Sequence, residues 1–221
     1  MTAPPSAFAS AADVTSLLVL LCVMAMLRAP FVRSQVRIYR FQSLAVTALV
    51  IVIASTHHLD GLYALAAISF ATKVVVVPEI MARLAPSLDA DLSSSARLKT
   101  ASMLLLAGGA SAFGFFAIGA LHLPVRTLPG PALSIAVASL LISFLLVILR
   151  SDVLSQGIAF FSLENAVSVA SLVVATALPV IMEIAFLFDL LVAVVAFGLL
   201  MRVHHRRAKT LSTEQITRLR G

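Results

Sequence analysis

Seven runs of mostly apolar residues, separated by short polar or proline-rich breaks, fill nearly the whole of this 221-residue chain. A helix needs about 20 apolar residues to cross a hydrocarbon core of ~30 Å. The runs cover residues of about 10–27, 41–56, 61–81, 101–121, 131–149, 153–176 and 180–201; the second is short and can extend back towards Tyr39. None shows the strict alternation of a barrel strand. The expected fold class is therefore all-α: a polytopic membrane bundle of about seven transmembrane helices, one transmembrane domain without internal repeat. Residues 202–221 form a basic tail. With 61% hydrophobic and 12% charged residues, against roughly 45–50% and about 25% in soluble domains, the chain has too little polar surface for water. A cytosolic enzyme, a secreted disulfide scaffold and a nucleic-acid-binding domain are excluded. Cys22 is the one cysteine, so no internal disulfide or cysteine-held cluster can form.

The breaks fit the count. Residues 28–40 are expected to join the first two helices, and the polar stretch 82–100 the third and fourth. Pro124, Pro129, Gly130 and Pro131 interrupt the chain before the fifth. Ser151-Asp152 can cap the sixth. Only Leu178-Pro179 separates the last two, which predicts a tight antiparallel hairpin.

Charge sets the orientation. With seven spans, 14 Lys or Arg residues fall on one side: Arg28, Arg33, Arg37, Arg40, Arg83, Arg97, Lys99, Arg150 and six in the tail. Arg126 alone falls on the other. The positive-inside rule then places the N-terminus outside and the C-terminus in the cytoplasm. The basic balance reflects topology and anionic lipid, not DNA. The first span has no positive flank before it, so it reads as a retained anchor rather than a cleaved signal.

Five ionisable residues are counted at or near membrane depth: Lys73, Glu79, Glu164, Glu183 and Asp189. Such groups cost at least ~2.5–3.5 kcal/mol each on insertion scales, which makes each a functional hypothesis. Lys73 is ~18 Å along its helix from Gly61. Pro78 follows five residues later, and its missing N–H predicts a kink beside the lysine. Glu164, followed by Asn165, is central in the sixth span, and Asp189 falls at a similar depth if the hairpin turns near Leu178. Paired carboxyls at one depth would push a pKa up and create a proton station; a fixed ion pair or interhelical hydrogen bonding is the alternative for each. Glu183 reads equally as a shallow residue or as the outer relay member. Glu79 stands four residues before Arg83, the spacing of a solvated surface pair. His57, His58 and Asp60 read as a solvated loop rather than a metal site. Gly108, Gly109 and Gly114 suggest a close packing face in the fourth helix. No phosphate-loop pattern and no nucleophile with a base is present, so the chain is not expected to be an enzyme by itself. A retinal protein fits poorly, since the last helix lacks a buried lysine and Trp is absent.

Several of these residues recur in a known order. Tyr39, Gln42, Ser43 and Leu44 open the second helix; Thr72 and Lys73 precede Pro78; Glu164-Asn165 is followed by Glu183-Ile184 and Asp189; Leu219-Arg220-Gly221 closes the chain. This pattern resembles component E of hydrogenase-4 type formate hydrogenlyase complexes, related in its C-terminal part to the K subunit of respiratory complex I. Ala166 stands where that family often has Gly, a departure that leaves the redox partner open. The resemblance implies a membrane-arm subunit without a cofactor of its own. It would sit beside antiporter-like subunits and a hydrogenase-like peripheral arm, in whose subunits nickel-iron and iron–sulfur centres would lie. The setting would be a bacterial or archaeal cytoplasmic membrane. Lys73, Glu164, Glu183 and Asp189 would then carry a relay coupling redox chemistry elsewhere to proton or sodium movement, with Glu79, Asn165, Tyr39 and Gln42 as secondary candidates. A self-contained ion transporter or channel, and a scaffold with fixed buried ion pairs, are the competing readings.

Overall fold

The computed structural model describes residues 6–57, 60–84, 98, 100–120 and 131–174. Among these, every regular element is helical: α1 (Ser6–Arg28), α2 (Val32–His57), α3 (Asp60–Ser69), a π-helical segment (Phe70–Val76), α4 (Val77–Leu84), α5 (Thr100–Ala120), α6 (Ala132–Leu149) and α7 (Val153–Val174). The α3, π and α4 segments run on as one rod, so among the described residues six spans are long and apolar enough to cross a bilayer. The expected seventh, at 180–201, lies outside the described residues, as do Glu183, Asp189, the hairpin at Leu178-Pro179 and the basic tail.

The first connection differs from expectation. Arg28 to Arg40 is not a loop; only Ala29–Phe31 separates α1 from α2. Pro30 supplies the break, because it has no N–H and disfavours helix at the residue before it. Beyond it, Val32, Val36 and Tyr39 are buried while Arg33, Arg37 and Arg40 are exposed. That is one apolar face at helical spacing. The arginines interrupt the hydropathy run without interrupting the helix, and their stems can carry the charge to the interface.

The rod containing Lys73 is rearranged just before the proline. Its turns widen over seven residues, and the Val77 N–H donates to the Thr72 carbonyl, a five-residue spacing. Pro78 offers no proton to the turn behind it, so the ladder must be rearranged there. Such bulges concentrate at functional sites.

α2 packs on α1, α7, α3 and the π segment, while α6 packs on α1, α5 and α7. α5 sits at the edge, with 17% of its span buried against 44–67% for the others. Its contact with α6 turns on Gly114, where an added Cβ would lie 2.9 Å from the Ala138 backbone nitrogen. Gly108 and Gly109 are not part of that face; a Cβ on either meets nothing within 4 Å. The two glycines lie on the exposed side of α5.

One end of the bundle is tied by Arg150. Its guanidinium donates to the carbonyls of Met26, Leu27 and Ala29, satisfying the orphan acceptors at the C-terminus of α1. Gln35 donates to Ala29 O at 3.1 Å and Gln156 to Arg150 O at 2.7 Å. Asp152 caps α7, accepting the Ser155 N–H at 2.7 Å, as the sequence predicts. Burial pushes the Arg150 pKa down, and the charge of Asp152 partly offsets this. From sequence, Arg150 is counted among the positive-side charges, with nothing to mark it as buried. It is in fact 2% exposed.

Candidate functional site

The centre of the bundle holds a buried ion pair. Lys73 Nζ lies 2.6 Å from Glu164 Oε1, with the two side chains 0% and 7% exposed. Lys73 also donates to Ser168 Oγ at 3.3 Å. Ser168 is one turn beyond Glu164 on α7, so both side chains address the same neighbouring rod. Lys73 is 12 residues from Gly61 and 10 from Arg83 in its span; Glu164 is 11 from Val153 and 10 from Val174. The pair therefore sits close to the middle of the hydrocarbon. Bringing both charges out of water is costly, and a contact this short offsets much of it.

Asn165 comes next on α7 and is turned about 100° from Glu164, as the 3.6-residue turn dictates. It faces α2, donating to Ser43 Oγ at 2.9 Å and Gln42 Oε1 at 3.4 Å. Tyr39, one turn before Ser43, is 1% exposed and packs on Phe161 with ring centroids 6.0 Å apart. Its hydroxyl lies towards Ser43 and within electrostatic range of Glu164, but without the geometry of a hydrogen bond. Ser143 of α6 and Ser162 of α7 face each other at 3.4 Å.

These residues form a layer. On α7 the apolar core towards the Arg150 end stops at Phe161, and the core towards the other end begins at Ala166. On α2 the corresponding limits are Tyr39 and Val46, on the Lys73 rod Val77 and Ala66, and on α6 Ile142 and Ala136. Ser43, Gln42, Ser69, Lys73, Ser139, Ser162, Glu164 and Asn165 are buried between those limits. The belt lies across the bundle, with an apolar cluster on each side.

Of the residues singled out from sequence, the structure brings together Lys73, Glu164, Asn165, Gln42 and Tyr39. Glu79 stands apart, paired with Arg83 at 2.8 Å on an exposed face. Glu183 and Asp189 lie outside the described residues. Asp13 is a further ionisable residue within the first span, one that the sequence pattern does not single out. It stands three residues into the apolar run that starts at Ser10. The helix begins four residues earlier, at Ser6. Asp13 is half-buried, and its Oδ1 has no hydrogen-bond partner among the described residues. Among the described residues, no three His, Cys, Asp or Glu side chains converge as a metal site would require.

Fold and site together define a multi-pass α-helical membrane protein with a charged polar belt at mid-membrane. The chain is similar to Hydrogenase-4 component E of Escherichia coli (strain K12), 28% identical over 183 residues that cover 83% of this chain and 85% of that protein. Hydrogenase-4 component E of Shigella flexneri matches to the same extent. The uncharacterized protein Rv0085 of Mycobacterium tuberculosis (strain ATCC 25618 / H37Rv) is 28% identical over 173 residues, 76% of this chain and 77% of its own length. No family model matches the chain, and no solved structure does. The similarity agrees with the resemblance carried by the Tyr39–Leu44, Thr72–Pro78 and Glu164-Asn165 motifs.

Proposed function

We propose that this chain is a non-catalytic membrane-arm subunit of a hydrogenase-like energy-converting complex, and that its polar belt is a segment of a lateral charge relay. Redox chemistry in partner subunits would be coupled through it to proton or sodium movement. The observation that carries the reading is the Lys73–Glu164 pair at mid-membrane, set in a belt with apolar clusters on both sides. A self-contained channel needs polar groups running from face to face; a relay between neighbouring subunits needs them side to side. The similarity to Hydrogenase-4 component E supports the complex as the setting.

In this reading Glu164 is a proton-exchanging station and Lys73 its counter-charge. A change in the charge of a neighbouring subunit alters how firmly the lysine holds the carboxylate, and so the carboxylate's proton affinity. Asn165, Gln42 and Ser43 hold the belt open towards α2. Glu183 and Asp189 would be further members of the same relay. Antiporter-like subunits are the neighbours, redox metal centres belong to the peripheral arm, and the membrane is the cytoplasmic one, N-terminus outside.

The test is Glu164→Gln in the assembled complex, with pumping measured in inverted vesicles and assembly by native electrophoresis. Loss of at least nine-tenths of pumping with intact assembly is expected. Wild-type pumping would sink the relay. A scaffold would behave differently: changing Lys73 and Glu164 together to apolar residues would leave coupling intact.

A further inference from the structure

The belt is not closed equally on its two sides. Towards the Arg150 end, Ser143 pairs with Ser162 at the edge of the belt and Gln35 and Ser155 belong to the Arg150 end; the buried side chains of α1, α2, α4, α6 and α7 between them are apolar or aromatic, Tyr39 among them. Towards the end where α1 begins, buried polar side chains continue. Ser16 is 0% exposed and Thr47 3% exposed, and Asp13 follows, half-buried. Because α1 and α2 are joined by a turn centred on Pro30, residues equally far from it lie level. Ser16 is then level with the Ser43 region of the belt, and Asp13 with Thr47, about one turn nearer the N-terminal side. Thr47 stands one turn beyond Ser43 on α2, its hydroxyl donating to the Ser43 carbonyl of the same helix at 2.9 Å. Ser16 Oγ and Asp13 Oδ1 are buried and have no hydrogen-bond partner among the described residues. Buried oxygens of that kind are ordinarily satisfied by water. Asp13 is about 10 Å along α1 from its first residue, within reach of the N-terminal surface.

We infer that Asp13, Ser16 and Thr47 line a water-filled path for protons between the polar belt and the N-terminal side of the membrane. Asp13 is its surface-side acceptor and donor. Each hop breaks one O–H bond and forms the next, so the path carries a proton without consuming anything. What the belt then does with the proton rests on the relay reading. The route itself does not.

The experiment uses the full-length chain in native membranes, with Cys22, its single cysteine, replaced by Ala. Ser16→Cys is compared with Val19→Cys, which is also 0% exposed and three residues further along the helix. The probe is a membrane-impermeant cationic thiosulfonate applied from the N-terminal side. Ser16→Cys is expected to react at least tenfold faster than Val19→Cys, and Asp13→Asn to slow proton movement by the assembled complex at least tenfold. Equal reactivity of the two cysteines overturns the path, and wild-type proton movement with Asp13→Asn overturns its role as terminus. If Glu164→Gln pumps normally while Ser16→Cys still reacts, the relay fails and the path stands.

Discussion

A lysine and a glutamate at the middle of a bilayer are each unfavourable alone, by at least ~2.5–3.5 kcal/mol on insertion scales. At 2.6 Å each offsets the other's desolvation. Removing one partner should therefore do more harm than removing both. Lys73→Met alone is expected to lower stability by about 3–5 kcal/mol, because it strands a buried carboxylate. Lys73→Met with Glu164→Leu should recover most of that loss without recovering coupling. Thermal unfolding in detergent, read beside pumping, checks both halves. Tyr39 gives the opposite case. Its hydroxyl is buried at the edge of the apolar cluster without a hydrogen bond of good geometry. Tyr39→Phe should leave stability unchanged or raise it by up to ~1 kcal/mol, since it removes a polar group that gains little from the protein. A loss larger than that would mean the hydroxyl is bonded in the membrane.

Packing between elements depends on where small residues fall. Gly114→Ala must displace α5 from α6, because the new methyl would stand 2.9 Å from backbone that cannot rotate away; a cost of about 1–3 kcal/mol is expected. Gly109→Ala, with open space around it, should be neutral or slightly stabilising through its better helix propensity. Unfolding of the two variants side by side tests the assignment. From sequence the three glycines look alike, because spacing does not reveal which face meets α6. The same limit applies to the site. Depth along a span is legible, and it picks out Lys73 and Glu164. Which helix each faces is not, because that depends on rotation, and the π segment from Phe70 to Val76 alters the rotation right at the lysine. Pro78 announces a disturbance there without saying that the turn widens. The start of α2 is obscured for a related reason: Arg33, Arg37 and Arg40 lower the hydropathy of a helix whose other face is apolar. Asp152→Ala, by contrast, removes a cap that its sequence position identifies, and should cost about 0.5–2 kcal/mol.

For the whole molecule, the layering sets a clear expectation. The purified chain in liposomes should not conduct protons above the lipid background, because apolar side chains separate the belt from the Arg150 end. A dye-based flux assay under an imposed gradient checks this; rapid flux would return the weight to a self-contained channel. The ion pair also has a consequence for how the protein is made. Lys73 is synthesised about 90 residues before Glu164, which at about 5–20 residues per second is a delay of roughly 5–20 s. Throughout that interval the third span must hold a lysine in the bilayer without its carboxylate. Its biogenesis should therefore depend on a waiting place, beside the insertion machinery or against the earlier helices, until α7 arrives. Ribosome-bound chains halted before residue 164 should keep the third span crosslinkable to the translocon, and chains halted well beyond it should release it.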